Sequence, residues 1–144
     1  MLIVLALVLV LGLAGFFYLN HAAKQPPPPD PPLTGAAHDY VGHGFLPVTE
    51  SKIEAHESYL KQQIVEITGK IGNTGDRVID TVEILCIFYD PYGQLVRKVR
   101  VPIVKKGSHL APGETREFRL PFDDIPDSWN QVMPQMVIAR IEFS

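Results

Sequence analysis

The stretch Val82-Glu-Ile-Leu-Cys-Ile-Phe-Tyr-Asp-Pro-Tyr-Gly-Gln-Leu-Val-Arg-Lys-Val-Arg-Val101 decides the fold. Val82, Ile84, Cys86 and Phe88 recur at every second position, the period of a β-strand. Asp90-Pro-Tyr-Gly93 is a turn signal: proline presets φ and glycine accepts a positive one. After the turn Val99 and Val101, with Ile103 beyond, alternate with Lys98 and Arg100. The whole reads as a hairpin with strands over 78–90 and 94–104. Leu85 and Ile87 make its first strand apolar on both sides, which marks it as a central strand.

The same period continues on either side. Val65, Ile67 and Ile71 share one face; Phe118, Leu120 and Phe122 alternate with Glu117 and Arg119; Val137, Ala139, Ile141 and Phe143 alternate with Arg140 and Glu142. Strands are expected at 46–50, 53–60, 62–72, 78–90, 94–104, 114–121 and 135–143, separated by Gly, Pro and Asn turns. The expected fold is all-β: an immunoglobulin-like antiparallel β-sandwich of about seven strands over residues 46–144. About 100 residues is a common size for one domain. Residues 121–134 break the pattern, and Asp127 there opens an expected helical turn beside Trp129.

Three segments carry a family resemblance. They are Ile67-Thr-Gly-Lys-Ile-Gly-Asn73, Ile87-Phe-Tyr-Asp-Pro-Tyr-Gly93 and Leu110-Ala-Pro-Gly-Glu-Thr-Arg-Glu-Phe118. As an ordered set they resemble bacterial FxLYD-type domains and related membrane-tethered families of unknown function. The resemblance covers about residues 60–143. It implies an immunoglobulin-like sandwich, frequently tethered by an N-terminal helix, and no enzyme activity. It carries no functional residues. The extension around Trp129 departs from the family pattern.

Upstream of the domain, Leu2 to Leu19 carries no charge. As a helix that run measures roughly 27 Å, close to the hydrocarbon thickness of a bilayer. The expected organisation is therefore a single transmembrane α-helix over residues 1–23, a proline-rich linker over 24–45 and the β domain over 46–144. A cleaved signal peptide fits less well, because no basic residue precedes the apolar run and His21 sits badly for a cleavage site. Pro26 to Pro32 favours an extended polyproline II spacer; a ligand for a proline-reading module is the alternative. Lys24 alone places the domain in the cytoplasm by the positive-inside rule, whereas the resemblance implies an extracytoplasmic, periplasmic domain.

The chemistry expected of this chain is sparse. Net charge is −3, from 13 basic and 16 acidic residues, which gives no reason to expect nucleic acid as a partner. Cys86 is the single cysteine, so no internal disulfide forms, and its place on an apolar face is that of a small buried hydrophobe. His38, Asp39 and His43 form a weak metal set without a second ligand cluster. Asp123, Asp124 and Asp127 lack calcium-loop spacing. No nucleophile–base pair or carboxylate pair stands out, and no enzyme, metal or cofactor is expected; haem or pigment ligation by His21 is the remote alternative. The candidate interaction residues are Arg97, Lys98, Arg100 and Trp129. The basic ones read more readily as protection of an edge strand, and Trp129 more readily as a plug for one end of the sandwich. The expected function is a non-enzymatic interaction domain with lipid contact through residues 2–19 and one or more protein partners. The alternative is an accessory subunit of a larger bacterial membrane complex, of respiratory or photosynthetic type.

Overall fold

The computed structural model describes residues 2–23 and 33–144. The chain divides into two compact units, Met1–Pro31 and Pro32–Ser144. The first contains helix α1, Leu2–Ala23. Among the described residues no helix is long and apolar enough to cross a membrane. The expected single-pass anchor is therefore not supported. The periplasmic placement that went with it falls with it. The proline-rich spacer over Pro26–Pro32 lies outside the described residues.

The second unit is all-β with one short helix. Helix α2, Gly35–Gly42, precedes six strands: β1 Val48–Glu57, β2 Gln63–Gly72, β3 Ile79–Tyr89, β4 Leu95–Val104, β5 Thr115–Phe122 and β6 Gln135–Phe143. They form two three-stranded antiparallel sheets, β1-β2-β5 and β4-β3-β6. The expected count of about seven is corrected to six. The segments expected at 46–50 and 53–60 are one strand, β1, whose pairing with β2 shifts between Thr49 and Lys52. Glu50 stands at φ 52° there, so a bulge and not a turn carries the chain across the break. No helix forms around Asp127. A single turn closes instead, with Trp129 N–H donating to the Pro126 carbonyl at 3.0 Å.

Alternation places the core between the sheets. Val65, Ile67 and Ile71 of β2 and Phe118, Leu120 and Phe122 of β5 meet Val82, Ile84, Cys86 and Phe88 of β3, all buried. Phe88 stands edge-on to Phe122 with centroids 5.3 Å apart, which ties the two sheets at one end. At that end lie the β1–β2 tip, the β3–β4 tip and the β5–β6 loop. The Asp90–Gly93 turn forms as its sequence requires. Asp90 Oδ1 accepts from the N–H groups of Tyr92 and Gln94 at 2.9 and 2.8 Å, and Gly93 takes φ 78°.

The opposite end is closed by a polar knot. Asn73 is 1 % exposed. Its amide donates to the carbonyls of Arg77 at 2.8 Å and Leu110 at 3.0 Å. Its Oδ1 accepts from the Tyr40 hydroxyl at 2.7 Å and the Gly75 N–H at 3.2 Å. Tyr40, on α2, is buried and packs edge-on against Phe45 and Phe143 at 4.9 and 5.2 Å. Residues 36–45, expected as the end of a linker, thus belong to the domain.

Candidate interaction surface

The outer faces of the two sheets differ. On the β1-β2-β5 sheet Lys52, Glu54, Glu66, Thr68, Lys70 and Arg119 face outward, and ion pairs such as Lys70–Glu50 at 2.8 Å cover it. Glu50 is held below the usual carboxylate range by its hydrogen bond to Lys70, and Lys70 is raised by the same contact. On the β4-β3-β6 sheet the outward positions of central β3 include Leu85 and Ile87, both half-buried, beside Glu83, which faces Arg100 and Arg140. Leu85 lies opposite Arg100 and Val137, and Ile87 opposite Lys98 and Gln135. Within the β domain α2 packs against β6. The apolar character of Leu85 and Ile87 signals a central strand, but that strand is central in a three-stranded sheet with one side open.

The four candidate residues separate. Lys98 and Arg100 lie on this outer face, and Arg100 reaches Glu83 at 3.7 Å. Arg97 is paired across from Phe88 and donates to Asp124 in the β5–β6 loop. Its second arm donates to the Lys98 carbonyl at 3.4 Å. Trp129 is inside: it is 5 % exposed and edge-on to Phe88 at 5.9 Å. Edge-strand protection describes Arg97 well, because β4 is an edge strand and the guanidinium covers one of its carbonyls.

Sequence reading missed the tip end of the sandwich. Tyr59 and Leu60 on the β1–β2 tip, Tyr92 on the β3–β4 tip, Leu95 just after it and Val132 in the β5–β6 loop are all exposed. In the rest of the described β domain only Val78 and Val137 are exposed large apolar residues. The three connections share one end because Phe88 meets Phe122 there and Asn130 N–H donates to the Tyr89 carbonyl at 2.9 Å. The sequence signal was available: apolar residues within turn segments, where polar ones are the rule. Ionisable side chains at this end are mainly acidic, with Glu57, Asp90, Asp123, Asp124 and Asp127 against Lys61 and the paired Arg97.

The remaining candidates do not assemble. His43 Nδ1 donates to the Asp39 carbonyl at 2.6 Å and its ring stacks on Phe45. His38 sits 3.5 Å from Asp39 in the open. Among the described residues no three His, Cys, Asp or Glu groups converge as metal ligands. Cys86 is fully buried, and desolvation pushes its thiol up to about 11 from an ordinary value near 9. In the native protein at pH 8 Cys86 should resist a disulfide reagent and react at once in urea. The stability it contributes is fully present below about pH 9 and is lost as pH rises through about 11. A denaturant midpoint measured from pH 8 to 11 checks the sign.

No protein-family model matches the chain, and no curated protein matches it. The FxLYD resemblance therefore rests on its three motifs. Two solved structures are similar. One is the Northeast Structural Genomics Consortium target SoR45, at 15 % identity and TM-score 0.45, covering 69 % of this chain and 86 % of that one. The other is a candidate ApaA protein from Bordetella pertussis, target BeR40, at 19 % identity and TM-score 0.35, covering 68 % and 92 %.

Proposed function

We propose that this protein is a non-enzymatic interaction module whose β domain docks a protein partner through its tip end. The carrying observation is the concentration of exposed Tyr59, Leu60, Tyr92, Leu95 and Val132 at that one end. Exposed aromatic and aliphatic groups in water are a standing cost that a docking partner removes. Tyrosine suits the purpose, because it offers a rigid apolar body with a polar tip. Leu85, Ile87 and Val137 lead from this end onto the outer face of the β4-β3-β6 sheet and extend the contact area. The acidic groups around the tips favour a partner with a basic rim and speak against a phosphate-rich one.

A photo-crosslinking residue placed at Tyr92 should join the full chain to one discrete partner in cells that express it. The same residue at Thr68, on the polar sheet, should not. Y59S/L60S/Y92S should lower the affinity for that partner about 100-fold, which is about 2.8 kcal/mol and is supplied by one tyrosine hot spot of ~2 kcal/mol with two lesser contacts. Its unfolding free energy should stay within about 0.5 kcal/mol of the parent. Equal crosslinking from both positions would sink the reading.

A further inference from the structure

The flank where the sheets end in β4 and β5 has a different character from the tips. Along it stand Lys105, Arg116 and Arg119 against Glu117, with exposed Lys106 next in the chain; Arg116 is paired with Glu114 and Arg119 with Glu66, so Lys105 and Lys106 set the local sign. Both strands are edges of their sheets. Between them runs a groove of about 320 Å³. Its floor is Ile103, Phe118 and Leu120, each with only a small apolar area reaching the surface. Its walls include exposed Pro102, exposed Lys105 and Arg116.

The walls are fixed in place. The Arg116 guanidinium donates to the carbonyls of Ser108 at 3.0 Å and His109 at 2.6 Å, and pairs with Glu114 at 2.7 Å. Glu114 is held below its usual range by the Ala111 N–H and then by Arg116. The β4–β5 connection is thereby locked against β5, which leaves Lys105 and Lys106 exposed beside the groove.

The two edges are not equivalent as templates. Pro102 interrupts β4 inside the groove and has no N–H to offer. In β5 the proline comes late, at Pro121, so across Thr115–Leu120 the alternate residues whose backbone groups point away from β2 all keep an N–H. An edge of that kind accepts an extended peptide as an added strand, its alternate side chains turned to the floor. The surrounding charge selects the sign.

We propose that the β4–β5 groove binds an extended acidic peptide segment of a partner, paired along β5, with apolar residues on Ile103, Phe118 and Leu120 and carboxylates beside Lys105 and Lys106. This site is separate from the tip end and does not depend on the reading given to that end.

The test uses the full chain in an uncharged detergent and a fluorescent ten-residue peptide alternating glutamate and valine. Saturable binding is expected, weakening steeply with salt. K105E/K106E should weaken it about tenfold, with an unchanged melting temperature because both lysines are exposed. Bound peptide should slow hydrogen exchange at the Glu117 and Arg119 amides. Y59S/L60S/Y92S should bind the peptide as the parent does, which separates this site from the tip end. The proposal is overturned if the peptide does not bind saturably, or if its lysine-for-glutamate counterpart binds equally. It is overturned as well if a single-stranded oligonucleotide of equal charge competes at the same concentration, or if K105E/K106E leaves the affinity unchanged.

Discussion

Replacing Asn73 with alanine should remove about 3–4 kcal/mol of stability, a large share of the 5–15 kcal/mol typical of a domain. Asn73 is almost fully buried and its side chain makes four hydrogen bonds. Alanine orphans the Gly75 N–H and removes one of two hydrogen bonds at the Leu110 carbonyl, which keeps the Ile79 N–H, and at the Tyr40 hydroxyl and Arg77 carbonyl, which keep each other at 3.4 Å; each bond so lost is worth about 1 kcal/mol. Each orphaned buried group costs roughly 1–3 kcal/mol, reduced where water can enter. Asn73→Asp should be at least as damaging at pH 7, since it turns a carboxylate toward the two carbonyls, and lowering the pH should relieve part of that loss. Tyr40→Phe should cost about 1 kcal/mol, because its ring packing survives. Gly75→Ala should be worse than its size suggests: a Cβ there would overlap the Tyr40 hydroxyl. Urea unfolding followed by tryptophan emission measures all four. A loss below about 0.5 kcal/mol for Asn73→Ala would show that the knot is decorative.

That knot also shows where sequence reading stops. Asn73 and Gly75 are legible as turn residues, and Pro112-Gly113 as another turn. Their joint role is not, because Gly113 N–H donates to the Asn73 carbonyl at 2.6 Å across 40 residues of chain. Helix α2 was illegible for a related reason. Gly35 to Gly42 is short and has weak intrinsic helix preference; Tyr40 holds it by reaching the knot and Phe143. The period-2 signal of β2 to β5 was legible because one face of each packs on the core; in β6 the pairing with β3 shifts between Glu83 and Ile84, so Met136 and Ile138 meet the core and Val137, expected on that face, is exposed. The break in β1 was misread as a turn, because a bulge and a turn both interrupt alternation. The candidate surface was half legible. Lys98 and Arg100 stand on an open face as their alternation indicates, but the tip residues lie in segments where periodicity says nothing. The N-terminal run shows the limit from the other direction: apolar composition suggested a span, and among the described residues no helix meets the length and apolarity of one.

Phe88→Ala should cost about 3–5 kcal/mol, the usual range for deleting a buried phenyl ring. Phe88 is fully buried between Phe122 and Trp129. Trp129 is the only tryptophan in the chain, so its emission reports on this site alone. The indole has 5 % exposure and its Nε1 finds no acceptor within the described structure. Its burial is therefore held by ring packing and not by a hydrogen bond. Removing the Phe88 ring should open a cavity beside the indole, admit water to Nε1 and shift the emission to longer wavelength before global unfolding. Phe88→Leu keeps most of the volume and should cost about 1–2 kcal/mol with a smaller shift. An unchanged spectrum in folded Phe88→Ala would place Trp129 back on the surface as a contact residue. The consequence reaches the partner. Trp129 precedes Asn130, whose N–H anchors the β5–β6 loop to Tyr89, and the same turn carries Val132 to the tip end. Loosening the indole frees that loop while Tyr59, Leu60 and Tyr92 keep their hairpins. Partner recovery should therefore fall with Phe88→Ala even at temperatures where the protein remains folded, and the fall should be smaller than that caused by Y59S/L60S/Y92S.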